Sequence, residues 1–296
     1  MDLFDDTNTP QAARRLDHFV DCQLAIDTLF HEAAQSQDAL AAMERFLSKA
    51  AAFSNLSIYN AMLVEVQRPG ALAVASPAKW AQIGRWIKIG ARPVVILKAF
   101  GPVEFVYEHG DTDGTPMEGS EANTLLASGT PTVFTLQEMV KAAKEQGVTV
   151  QWDAQSGVLL AGTAHRINAA RGGNINGARS WLARVNANYD EPSQFGTLAH
   201  ELAHIYCGHL GEGAKGAWPD RTALGHHERE IEAEAAAWLV CRRNDVETKS
   251  AAYLLGHLQQ AELSKVSMYA IFEAANRIES RTVRRVAGPV AAGRKS

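Results

Sequence analysis

Apolar side chains in the first third of the chain recur with helical spacing. Leu16, Phe19, Val20 and Leu24 fall at i, i+3, i+4 and i+8, and the pattern predicts helices over 11–34 and 37–52. A further helix is predicted over 55–67, ending before Pro69-Gly70, where proline cannot continue it. The period then shortens. The β-branched runs Pro93–Leu97 and Val103–Tyr107 read as strands. Residues 109–132 are polar and rich in turn formers and read as a linker. Beyond them come an amphipathic helix over 135–146, a strand over Val148–Trp152, two or three more strands between 157 and 188, and almost continuous helix from 191. The pattern predicts an α+β protein in two units, 1–125 and 130–296, with no internal repeat.

Composition narrows the class. With 46% apolar and 21% charged residues, the 296-residue chain has the balance of a globular protein rather than a disordered or fibrous one. Cys22, Cys207 and Cys241 are odd in number, far apart and without a CxxC pair, which predicts free thiols in a reducing compartment. The start lacks a basic stretch followed by an apolar one, and no run approaches the roughly 18 apolar residues of a membrane span. A cytoplasmic protein without membrane contact is expected.

The net charge of −4 conceals segregation. Residues 1–44 hold nine acidic and two basic side chains, whereas 45–100 hold eight basic ones and a single acid, Glu65. Aromatic residues are interleaved with the basic block, so it is a candidate surface for tracking phosphates and stacking unpaired bases. Its candidate nucleic-acid-binding residues are Lys79, Trp80, Arg85, Trp86, Lys88 and Arg92. The competing expectation is that the acidic first 44 residues neutralise this field and that the tryptophans are core.

The chemistry concentrates at His200-Glu201-Leu202-Ala203-His204. Asp190-Glu191-Pro192 is a helix start and Gly208 a helix stop. Between them Phe195, Leu198, Leu202 and Ile205 form an apolar stripe, with His200 and His204 together on the other side. Histidines at i and i+4 project in parallel and can hold one Zn²⁺, while Glu201 reaches the metal's water as a general base. A third protein ligand is needed. His209 follows His204 by five residues, out of register with the HExxHxxGxxH pattern. The following helix offers Glu228, Glu230, Glu232 and Glu234. Glu234, at the edge of a face centred on Ile231, Ala235 and Trp238, is the preferred ligand, because a carboxylate among alanines needs a partner. Glu230, one turn earlier, orients a ligand histidine or is itself the ligand; Glu232 is expected to point away. Arg221, Tyr206 and His226 are candidates for an oxyanion donor.

The TLAHELAH run, followed thirty residues after His204 by IEAEAAAWLV, resembles the ImmA/IrrE family of zinc metallopeptidase domains over roughly 130–260. That resemblance implies a zincin-like fold, Zn²⁺ held by His200, His204 and Glu234, and Glu201 as catalytic base; Trp238 stands where the family has phenylalanine. Residues 53–61 and 80–91 are similar to the N-terminal domain of ArdC-type antirestriction proteins, which implies single-stranded DNA binding. The combined expectation is a zinc metallopeptidase acting on a cytoplasmic protein or peptide, with an N-terminal DNA-binding module. The alternative is an antirestriction protein whose metal site is structural. A small sheet from 148–188 is expected against the active helix, with its edge strand at Ser180–Asn188, where an extended substrate could add.

Overall fold

The computed structural model describes residues 26–28, 30–32, 35, 39–53, 56–98, 101–118, 135–154, 161–167, 180–248 and 256–279. The chain is mixed α+β. Helices α1 (Ala39–Ala52) and α2 (Ile58–Gln67) lead into β1 (Val74–Ala75), α3 (Pro77–Gln82), β2 (Arg85–Ile87), β3 (Val94–Lys98), β4 (Gly101–Glu108) and β5 (Thr112–Gly114). Then follow α4 (Leu136–Glu145), β6 (Val148–Asp153), β7 (Gly162–Ile167), β8 (Ser180–Asn186), α5 (Glu191–Tyr206), α6 (His226–Arg243) and α7 (Met268–Ile278). Among the described residues no helix is long and apolar enough to cross a membrane. Cys207 and Cys241 are free and buried; Cys22 and most of the helix expected over 11–34 lie outside the described residues.

The strands form three small sheets, ordered β1-β4-β3, β2-β5 and β6-β8-β7. The β2-β5 ribbon falls partly where a linker was expected, since Thr112–Gly114 pairs antiparallel with Arg85–Ile87. In the third sheet β6 runs parallel to β8 and β7 antiparallel to it. This corrects the expected edge: Ser180–Asn186 is the central strand and Gly162–Ile167 lies outside it. Buried Ala183 and Val185 of β8 belong to the same core as Leu198 and Leu202 of α5, so the sheet seats the helix that carries His200 and His204.

The principal core does not divide at the linker. Phe30, Met43, Leu47, Ile58 and Met62 join one cluster with residues of β8, α5, α6 and α7, while smaller clusters gather around Phe53 and Val74 and around Trp80. A buried charge pair fastens the two ends of this core. Arg243, at the end of α6, donates through Nε to both carboxylate oxygens of Glu279 at 3.2 Å. Its Nη atoms donate to the carbonyls of Ala50 (3.0 Å), Phe53 (3.5 Å) and Leu56 (3.1 Å). The guanidinium thus binds carbonyls in and just after the last turn of α1, and both charged side chains are wholly buried. Removing one partner leaves the other charge uncompensated, so Glu279→Gln is expected to cost about 3–5 kcal/mol, read as a lowered midpoint in urea unfolding. An unchanged midpoint would contradict the pin.

Candidate metal centre

Helix α5 begins where its cap can form: Asp190 accepts from the Ser193 N–H at 3.0 Å, and proline sits in the first turn. It ends at Cys207, and Gly208 adopts φ 82°, a left-handed conformation that closes the helix. A Cβ on Gly208 would stand 2.0 Å from the Pro219 carbonyl oxygen, so glycine is required twice over at this turn. Helix α6 packs against α5, and Ala199 and Ala203 of α5 and Ala233, Ala236 and Ala237 of α6 are all buried. That closeness brings the polar faces of both helices to one place.

The two histidine rings meet there. His200 Nε2 and His204 Nε2 lie 3.1 Å apart. Glu230 presents Oε2 3.6 Å from the first and Oε1 3.5 Å from the second. Behind them each Nδ1 is occupied: His200 Nδ1 lies 3.0 Å from Glu234 Oε2, and His204 Nδ1 lies 2.9 Å from His209 Nδ1. His200, His204 and Glu230 therefore form a group whose ligand atoms could surround one metal ion. The sequence reading preferred Glu234 as third ligand; the structure brings Glu230 to the face shared by the two Nε2 atoms and puts Glu234 behind His200. The reason is the offset of the helix crossing, which residue spacing does not encode.

The electrostatics fit a cation. Burial pulls His200 down, but Glu230 and Glu234 outweigh it and hold the ring up at about 10. Burial, with His200 and His209 nearby, pushes His204 down to about 3. The two Nε2 atoms, 3.1 Å apart, are aimed at one point, the place a divalent cation would take. Burial raises Glu230, yet His200 and His204 pull it down to about 2, so a charged carboxylate faces the pair. Burial lifts Glu201 to about 7, with His200 opposing and Glu230 adding to it.

Cavities of about 420 and about 900 Å³ meet at Gly162, His200 and Glu201. The smaller is lined also by Thr163, Ala164 and His165 of β7, the larger by Tyr189, Thr197 and Glu234. Gly162 was not legible as a site residue. A Cβ there would lie 2.7 Å from Thr197 Cγ2, 2.9 Å from the Arg184 carbonyl oxygen and 2.9 Å from Glu201 Oε1. Only glycine lets the edge strand approach Glu201 this closely.

Other expected site residues are placed differently. Glu232, expected to point away, is fully buried. It accepts from His209 Nε2 at 3.0 Å, from the Ser267 N–H at 2.7 Å and from Arg221. Arg221 is thereby committed to Glu232. Tyr206 is buried against Trp218. Of the three expected oxyanion donors only His226 lines the cavity, with Nδ1 3.7 Å from Glu230 Oε1.

The basic block is also partly committed. Trp80 is fully buried and its indole N–H donates to the Tyr107 carbonyl at 2.9 Å, which corrects its expected role as a stacking platform. Arg85 is buried on Thr112 and Thr115. Lys49 pairs with Glu65, Arg68 with Asp111 and Lys88 with Asp113. Trp86, at 64% exposure, stands on the surface with Lys88 and Arg92, while Lys79 is half-buried.

The chain matches no family model and no curated protein. Among solved structures it is similar to the metal-free crystal structure of the antirestriction ArdC protein from the R388 plasmid. The two are 12% identical over 76% of this chain and 80% of that one, with a TM-score of 0.35, too low to establish a shared fold.

Gly162→Ala is expected to destabilise the protein by about 1–3 kcal/mol, because backbone and base must both shift to admit the methyl group. Urea unfolding measures this, and an unchanged midpoint would show that β7 does not press on Glu201.

Proposed function

We propose that the protein is a zinc-dependent hydrolase of the metallopeptidase type. The observation that supports this most is the convergence of His200 Nε2, His204 Nε2 and both oxygens of Glu230 on one point beside the buried carboxylate of Glu201. Two imidazoles and a carboxylate are the donor set of a catalytic zinc that keeps a position open. In this reading Glu230 holds the metal and Glu234 orients His200 through Nδ1, which exchanges the roles first assigned to them from spacing. A zinc ion so held supplies a Lewis acid that polarises a carbonyl group and acidifies water.

The protein's own residues do the remainder. Glu201, lifted to about 7, is suited to take a proton from the attacking water and to return it to the leaving amine. The outer edge of β7 pairs with no strand among the described residues, and its first four residues line the cavity. An extended peptide adding there would run past Glu201 with its backbone amides satisfied, which favours a protein or peptide substrate. Purified protein is then expected to carry about one zinc per chain, and Glu201→Gln to keep the metal and lose hydrolysis. Glu230→Gln should weaken zinc binding more than Glu234→Gln, measured by competition with a chelator. If Glu234→Gln lost the metal and Glu230→Gln kept it, the ligand set proposed here would be wrong by one helical turn.

A second reading follows the antirestriction resemblance of residues 53–91: a single-stranded DNA-binding protein whose metal site need not turn over. Exposed Trp86, beside Lys88 and Arg92, is the observation that favours it. Stacking on one base is worth about 1–3 kcal/mol, so Trp86→Ala should weaken binding of a single-stranded oligonucleotide by roughly 10-fold or more. Trp80→Ala should instead lower the melting temperature. Absence of oligonucleotide binding by the full chain at low salt would remove this reading without touching the first.

A further inference from the structure

A chain of four side chains runs from the candidate metal centre into the protein interior: His204, His209, Glu232 and Arg221. We propose that His209 and Glu232 are positioning residues that fix the tautomer of His204, so that its Nε2 lone pair faces the cavity. The inference rests on the preceding assignment of His204 as a metal ligand and adds to it the groups that make the ligand competent.

The direction of every hydrogen bond follows from the last partner. Glu232 Oε1 accepts from both the Arg221 guanidinium and the Ser267 N–H. Burial raises the Glu232 carboxyl, while Arg221 and the Ser267 N–H pull it back. Arg221 cannot surrender a proton and stays ion-paired to Oε1, so Glu232 keeps its charge and takes acceptor roles only. His209 Nε2, 3.0 Å from Oε2, must therefore donate. Two N–H groups cannot meet at 2.9 Å, and a His204 that offers Nε2 to a metal carries its own N–H on Nδ1, so His209 holds one N–H. With that N–H spent on Glu232, Nδ1 of His209 is an acceptor. His204 Nδ1, 2.9 Å away, donates to it. The remaining nitrogen of His204, Nε2, is left bare, 3.1 Å from His200 Nε2 and 3.5 Å from Glu230. Were the relay reversed, Nε2 would carry the proton and could not bind a metal.

Local sequence builds this relay. Five residues separate His204 from His209, and the left-handed Gly208 folds the chain back so that the His209 N–H donates to the His204 carbonyl at 3.0 Å. The same turn explains why His209, although it borders the cavity, is not a ligand: both its ring nitrogens are engaged away from the point where the Nε2 atoms meet. Energetics argue that the relay is more than packing. His209 is 2% exposed and Glu232 0%. A buried carboxylate bonded to a buried imidazole rarely stabilises more than apolar residues of the same shape, so the arrangement is better explained by what it does to His204.

The test measures zinc affinity of the full chain by chelator competition, together with the melting temperature of the metal-free protein. His209→Phe keeps the volume and removes both hydrogen bonds; it is expected to weaken zinc binding about 10–100-fold, as loss of a ligand's supporting hydrogen bond does elsewhere. His209→Gln, which can still accept from His204, is expected to recover much of that loss, a rescue that a purely structural residue would not show. Wild-type protein without zinc would defeat the metal assignment itself. Wild-type protein with zinc and an equally tight His209→Phe would overturn the relay alone. Should His209→Phe fail to fold, histidine ¹⁵N spectra of the unaltered protein decide: Nε2–H on His209 supports the relay, and Nδ1–H on His209 overturns it.

Discussion

Three histidines and four glutamates are drawn together at one helix crossing, and the rest of the molecule is arranged around keeping them satisfied. His200, Glu201, His204 and His209 come from α5 and its C-terminal turn, and Glu230, Glu232 and Glu234 from α6. Taking such groups out of water costs far more than a core of this size can absorb unless each has a partner. The structure supplies partners in two layers. In front, two Nε2 atoms and Glu230 share one point, where a cation would neutralise the cluster. Behind, Glu234 meets His200 Nδ1 and His209 meets His204 Nδ1, while Glu232 holds His209 and Arg221 brings in the balancing charge.

Both helices of that crossing carry buried alanines, at 199 and 203 in α5 and at 233, 236 and 237 in α6, and Gly162 lets the β7 edge approach Glu201. Packing and chemistry are thus one problem: enlarging buried residues of either helix would move the candidate ligands. The Arg243–Glu279 pair ties the same helix α6 to the end of α1 and to α7, so the N-terminal helices share the core that positions the site.

What could be read in the sequence was local. Asp190, Pro192 and Gly208 bounded α5, and the i, i+4 spacing of His200 and His204 placed both rings on one side. The carboxylates of the next helix were recognisable as candidates, but which one meets the Nε2 atoms depends on how far one helix slides along the other. Glu230 and Glu234 differ by a single turn, and no spacing rule decides between them. The burial of Glu232 was illegible for another reason: its partners Arg221 and the Ser267 N–H lie eleven and thirty-five residues away in sequence. Trp80 was read as a surface platform because its acceptor, the Tyr107 carbonyl, belongs to a strand it meets only in the fold. The order β6-β8-β7 likewise places an earlier strand outside a later one, which hydrophobic alternation along the chain does not reveal.

The proposed ligand set requires one metal ion where His200, His204 and Glu230 converge. The most direct measurement is a crystal structure of the zinc-loaded protein with anomalous diffraction recorded on both sides of the zinc absorption edge. A single strong anomalous peak is expected, bonded to His200 Nε2, His204 Nε2 and a Glu230 oxygen, about 2.0–2.2 Å from each. A peak among Cys207, His209 and Glu232, the other group of buried donor atoms close enough to hold an ion, or no peak at all, would contradict it.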